Sequence, residues 1–223
     1  SDPTAIVAKD TATDEVNGFT NLNAANGVSV FTISGSTYAI VASVNDSGVQ
    51  IIDISDPTDI VAKDAEDDST GFPELSRASS VDTFTIGSST YAIVVSGGAT
   101  GDDGVQIIDI SDPANIVAKD SATDGVNGFT MLDGPEDVDT FTCGDRTYAI
   151  VASITDNGVQ IIDISDPANI VAIDAETDGV NGFTMLGNPY NVEAFKISNK
   201  PYAMVASYGD NAVQMIEMPC GNS

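Results

Sequence analysis

The chain has no histidine and no tryptophan among its 223 residues. Without imidazole it lacks the side chain that most often serves as a general base near neutral pH and that most often binds transition metals. Lysine and arginine together number 7 against 34 aspartates and glutamates, a formal net charge of −27. Such a field repels the phosphates of nucleic acids and anionic lipids, so no nucleic-acid partner and no direct membrane insertion are expected. No run approaches the roughly 20 apolar residues that a spanning helix needs. Serine and cysteine nucleophiles need an activating base, and the scarce lysines form no S-x-x-K pattern. Paired carboxylates could serve glycoside hydrolysis, but acids are so abundant that abundance singles none out. The chain is therefore expected not to be an enzyme.

What is present is a β-rich composition. Hydrophobic residues make up 42% and aromatics only 6%, so the apolar mass is Val, Ile and Ala, which suit half-buried pleated strands. Recurrent apolar runs argue against disorder in spite of the charge. Aspartate (27) far outnumbers glutamate (7), which favours turns and hard-oxygen coordination over helix surfaces.

Self-comparison exposes four copies of one unit, with Ile-Val-Ala beginning at Ile6, Ile60, Ile116 and Ile170. Each copy reads IVAKD, a polar loop ending in NGFT, then VxTFTI, TYAIVAS, GVQIIDI and SDP. In the third copy the apolar runs are 116–119, 138–143, 148–153 and 159–164, all short, β-branched and bounded by turn residues. The Ser-Asp-Pro triplets at Ser55, Ser111 and Ser165 predict tight turns. Four such units, about 54 residues each, predict an all-β, four-bladed propeller of four-stranded antiparallel blades filling residues 1–223 as one domain. The sequence opens on an outer strand and ends on a third strand. The N-terminal strand is thus expected to close the ring as the outer strand of the last blade, covering an edge that would otherwise pair with other chains. Because Ser1 falls inside a repeat, the chain is expected to be processed or excised from a longer one.

The segments TYAIVAS and GVQIIDISDP resemble the LVIVD repeat family, and the resemblance extends to every copy. It implies a propeller of secreted or surface proteins with a binding or structural role, and it brings no catalytic motif. The long outer-to-inner loops, about 18 residues each, depart from the few residues many propellers use there.

Those loops share one face of the predicted ring with the short second-to-third connections holding Asp46, Asp102, Asp103, Asp156 and Asp210. They carry Asp10, Asp14 and Asn17, then Asp64 and Asp68, then Asp120, Asp124 and Asn127, then Asp174, Asp178 and Asn181. With backbone carbonyls, such oxygens could surround calcium; alternatively they make Asx turns that hold the loops together. A second cation candidate is the mouth of the ring, where Asp82, Asp139 and Glu193, with Ser29 in the first copy, occupy the second position of each inner strand. Like carboxylates there raise one another's pKa unless a cation intervenes, or the mouth is simply filled by water. Phe19, Phe72, Phe129 and Phe183 are expected to pack the loops, and Gln50, Gln106, Gln160 and Gln214 to bond loop backbone.

Cys143 and Cys220 both break the repeat and both fall on the face opposite the long loops, so a disulfide between them is expected. These features predict a non-enzymatic extracellular or cell-surface module for recognition, adhesion or assembly. Its partner would be a protein or glycan at the acidic loop face, or copies of itself. A structural subunit of a surface layer or filament, and a calcium-dependent hydrolase or lyase using loop carboxylates, are the alternatives.

Overall fold

The computed structural model describes residues 6–97 and 103–220. Those residues form fifteen strands in four antiparallel sheets, with no helix among them. Blade 1 comprises β1 (Ala25–Ile33), β2 (Ser36–Ser43), β3 (Gly48–Asp53) and β4 (Val61–Asp67). Blade 2 comprises β5 (Ala78–Ile86), β6 (Ser89–Ser96), β7 (Gly104–Asp109) and β8 (Val117–Thr123). Blade 3 comprises β9 (Pro135–Cys143), β10 (Arg146–Ser153), β11 (Gly158–Asp163) and β12 (Val171–Thr177). Blade 4 has β13 (Pro189–Ile197), β14 (Lys200–Ser207) and β15 (Ala212–Glu217). The inner strands β1, β5, β9 and β13 lie against one another in that order, as a propeller requires.

The repeat dictates the register. Tyr38 pairs with Phe31 and Asp53, and Tyr148 with Phe141 and Asp163, so each blade repeats one cross-strand pattern. The Phe–Tyr rings stack at 5.6, 5.5 and 5.2 Å in the first three blades. Three apolar cores follow, each between two successive blades. Between blades 2 and 3, for example, Ile93, Val95, Val105 and Ile107 meet Leu132, Val138, Ala149 and Val151. The Ser-Asp-Pro turns form as expected, with Asp56, Asp112 and Asp166 accepting from the amides of Thr58, Ala114 and Ala168.

The expected closure is not seen. Of the expected strand, residues 5–9, the described residues 6–9 are not in a strand, Ile6 and Val7 are exposed, and residue 5 lies outside the described residues. Among the described residues β15 has no outer neighbour, so its sheet has three strands. Ring closure needs blade 4 to meet blade 1 as the other blades meet, and their facing residues stay exposed instead, Val28 and Val30 on β1 and Val213 and Met215 on β15.

Cys143 and Cys220 form the expected disulfide, with Cα atoms 5.6 Å apart. It ties the segment after β15 to the end of β9, linking blades 4 and 3. No helix of the described residues is long and apolar enough to cross a membrane.

Candidate functional site

The long loops have a local logic that the sequence partly hides. In V-N-G-F, Asn17, Asn127 and Asn181 take φ of 55°, 52° and 54°, and the glycines after them are also left-handed. Two successive left-handed residues make a type I′ turn, for which Asn-Gly is the preferred pair. Short bridges Val16↔Phe19, Val126↔Phe129 and Val180↔Phe183 complete miniature hairpins. These asparagines are thus conformational residues, and blade 2, with Thr70 there, has no such bridge among its described residues. Phe19, Phe72 and Phe129 are buried beneath the loops and Phe183 is half-buried.

The loop aspartates accept main-chain amides. Asp14, Asp124 and Asp178 each accept from a leucine amide eight residues on, Leu22, Leu132 and Leu186, at 3.0 Å. Asp10, Asp64 and Asp120 each reach the amide that opens the next outer strand, Ile60, Ile116 and Ile170, at 2.8 Å. Asp174 accepts from Ala175, while the amide of Asp68 donates to the Ser47 carbonyl. Among the described residues no three Asp, Glu or Cys side chains converge as metal ligands. Calcium needs six to eight oxygens around one point, and these carboxylates are spread one per loop end.

The shared loop face is as expected: Asp46, Asp156 and Asp210 accept from Asn23, Asp133 and Gly187 in the adjoining long loops. Asp102 lies outside the described residues, and Asp103 accepts from Gly134. Burial pushes the Asp133 and Asp156 carboxyls up, reinforced by the charges of Asp103 and Asp124. The glutamines bridge loop and strand: Gln50 accepts from Thr20 and donates to the Asp64 carbonyl, and Gln160 accepts from Thr130 and donates to Asp174.

The most perturbed carboxylates sit on the inner strands. Asp82 accepts the Ser29 hydroxyl at 3.3 Å on one oxygen and the Thr140 amide and hydroxyl at 3.0 and 2.7 Å on the other. Asp139 in turn accepts the Ala194 amide at 2.6 Å. Each carboxylate thus reaches across to the next blade. Burial, and then the neighbouring charge of Asp82, push Asp139 from 3.8 up to about 6 in spite of that amide bond. Asp137, two residues away on the same face of β9, is also raised by burial, opposed by bonds from the Val192 amide and the Ser80 hydroxyl. Glu136 is raised too, by burial, with Arg77 pulling the other way. Glu193 is exposed at the end of the arc, so it does not join the pair. Below this row a cleft of about 340 Å³ opens between blades 2, 3 and 4, lined by Phe84, Thr140, Phe141, Phe195 and Lys196 among others.

Asp137, Glu136 and Asp133 were not singled out by sequence reasoning. The signal was available: PEDVD at 135–139 stands where the other inner strands have ANGVS, ASSVD and PYNVE at their starts. A repeat broken by added charge is where a special function belongs.

Among solved structures, the fold is similar to that of a family 117 glycoside hydrolase from the marine bacterium Zobellia galactanivorans. That match has TM-score 0.60 and 10% identity over 93% of this chain and 69% of the other. A family 43 β-1,3-galactosidase matches at TM-score 0.56 and 12% identity over 90% and 78%. The exo-β-1,3-galactanase of Phanerochaete chrysosporium matches at TM-score 0.55 and 12% identity over 91% and 47%. The chain spans only 47% of that galactanase and 40% of a Bombyx mori β-fructofuranosidase, so these enzymes are much longer. No curated protein is significantly similar to the chain in sequence.

At such identities the likeness is one of fold. It nevertheless overturns the expectation of a non-enzymatic module for recognition, adhesion or surface assembly. That expectation rested on the absence of histidine and of any catalytic motif, whereas these structural neighbours are glycoside hydrolases. The repeat itself is recognised directly. Residues 27–65, 88–124 and 147–174 match the LVIVD repeat, one segment in each of the first three blades, so the chain contains three LVIVD repeats.

Proposed function

We propose that this chain is a carbohydrate-active propeller in which inner-strand carboxyls perform acid–base chemistry on a glycosidic bond. The observation that carries the reading is Asp139, whose carboxyl holds its proton to about pH 6 beside Asp82 and two residues from Asp137. Hydrolysis of a glycoside with inversion needs a protonated carboxyl on one side of the bond and a carboxylate on the other, roughly 6.5–9.5 Å apart. Asp137 and Asp139 stand at i and i+2 of β9, so they share one face of the strand with backbones about 6.6 Å apart. In this scheme Asp139 gives its proton to the leaving oxygen as the bond to the anomeric carbon breaks. Water attacks that carbon and yields its proton to Asp137. The adjoining cleft, with the half-buried ring of Phe195, offers an apolar surface for a sugar face. The disulfide favours an oxidising compartment, so the reading places the activity outside the cytoplasm.

The test is release of reducing ends from galactan, fructan and agar-derived oligosaccharides between pH 4 and 8. Activity should decline as pH rises through about 6, and D139N should abolish it without unfolding the chain. Absence of both hydrolysis and saccharide binding across that panel would overturn the proposal, as would a D139N variant that retains full activity.

A further inference from the structure

In a chain with 7 basic residues and 34 acidic ones, most cations find a carboxylate. Lys63 pairs with Asp53, Lys119 with Asp109, Arg146 with Asp163 and Lys200 with Glu217. Arg77 acts on Glu136, whose carboxyl its charge pulls down. Lys196 is different. Among the described residues it makes no ion pair, and its ammonium donates instead to the Thr142 hydroxyl at 3.1 Å.

The repeat shows that this cation is an addition. Thr32, Thr85 and Thr142 stand opposite Thr37, Thr90 and Thr147 in blades 1 to 3, whereas the same register position of blade 4 pairs Lys196 with Pro201. Threonine is the better strand residue, so strand formation does not call for the lysine. A departure from a local rule with no structural gain marks a functional position. Lys196 lines the cleft of about 340 Å³ between blades 2, 3 and 4, a volume at the lower end of ligand sites. That cleft abuts the inner-strand carboxyls. Its Thr140 donates amide and hydroxyl to Asp82, and its Ala194 donates an amide to Asp139. Thr142 and Lys196 lie two residues further along β9 and β13, roughly 6.6 Å away along each backbone. An ammonium has three donors; Thr142 takes one, leaving two directed at whatever fills the cleft.

We infer that Lys196 selects a saccharide bearing an anionic substituent, a sulfate ester or a uronate carboxylate, by contacting that group in the cleft beside Asp82 and Asp139. The inference rests on the carbohydrate reading and specifies the substrate class of that site. A neutral sugar needs no cation there. An anionic one meets a chain of net charge −27 and, once part-enclosed, needs a local counter-charge to remain. Lysine supplies a point charge that suits sulfate and carboxylate alike, without the fixed fork of arginine. Its role is to set specificity, and the bond-breaking proton transfers stay with the carboxyls.

The test is calorimetric binding to D139N, which does not cleave its ligand, of galacto-oligosaccharides of one length. Three forms are compared: unmodified, O-sulfated, and oxidised at C6 to the uronate. At least one anionic form should bind about tenfold more tightly than the unmodified form, and which one does so tells sulfate from carboxylate. K196T restores the residue of the other three blades, so it should fold and should abolish the preference, while K196R should keep most of it. K9T removes the same charge outside this cleft and should leave the preference intact. Wild-type kcat/KM across the same panel should follow the same order. Tighter or equal binding of the unmodified form would overturn the inference and leave the carbohydrate reading standing. A preference indifferent to K196T, or lowered equally by K9T, would overturn it as well. Binding of none of the three forms would overturn both readings.

Discussion

Strands β11 and β15 occupy the same place in their blades and share a sequence pattern, yet they live in different surroundings. GVQIID of β11 is buried at every position, while AVQMIE of β15 is half or fully exposed at all but one. The difference is external to the strand. β11 has β12 on its outer side and blade 4 against its face, whereas among the described residues β15 has neither an outer strand nor a following blade. In a propeller, burial is a property of neighbours, and a repeat predicts it only where both neighbours exist.

The sharpest way to break this comparison is to place one charge at the matched positions. V159D puts an unpaired carboxylate into the core between blades 3 and 4 and should cost about 4 kcal/mol or more, enough to unfold blades 3 and 4. V213D should change stability by about 0.5 kcal/mol at most, since Val213 is already exposed. Urea titrations check both, and equal losses would refute the view that β15 is packed less tightly than β11.

A smaller effect is expected from the disulfide, which anchors the otherwise weakly buried end of blade 4 to blade 3 and spans 77 residues of sequence. The C143S/C220S variant should lose about 2–4 kcal/mol. Hydrogen exchange should show the loss concentrated in β14 and β15, with β1 to β8 unchanged; a uniform loss would show that the arc unfolds as one unit.

The smallest effect concerns the inner-strand carboxyls, present in blade 3 and reduced to Ser29 in blade 1. The folded-state pKa of Asp139, about 6, lies above its ordinary 3.8. A raised carboxyl binds its proton more tightly in the folded state, so its contribution is full below about 3.8 and is lost as pH rises through about 6. D139N cannot ionise and still offers an oxygen to the Ala194 amide. It should therefore gain stability relative to the wild type between pH 4 and 7, on the order of 1 kcal/mol after allowance for solvent screening. The gain should be absent for S29N at the matched position of blade 1, and no pH-dependent difference between D139N and wild type would refute the assigned environment.

Much was legible from periodicity. The inner-to-outer order of strands, the Ser-Asp-Pro turns, the shared loop face and the pairing of Cys143 with Cys220 follow from a 54-residue repeat and the positions that break it. The site was less so. Aspartates at regular intervals read equally as ligands or as turn residues, because both uses need an oxygen on a short side chain. Only coordinates reveal that Asp14, Asp124 and Asp178 hold leucine amides while the asparagines beside them are there for a left-handed turn. Asp137 was overlooked for a related reason: a carboxylate among 34 acids carries no mark of the burial that sets its chemistry.

By itself, then, the sequence determined the blade, because strand length, alternation and turn chemistry are local and are written four times over. The repeat also placed Asp82 and Asp139 at one mouth of the ring, but tertiary structure alone decided that Asp137 is buried beside them while Glu193 stays exposed. Tertiary structure also decided that, among the described residues, Val28 and Val213 stay exposed where their counterparts are buried, because burial in a repeat depends on the neighbours packed against it.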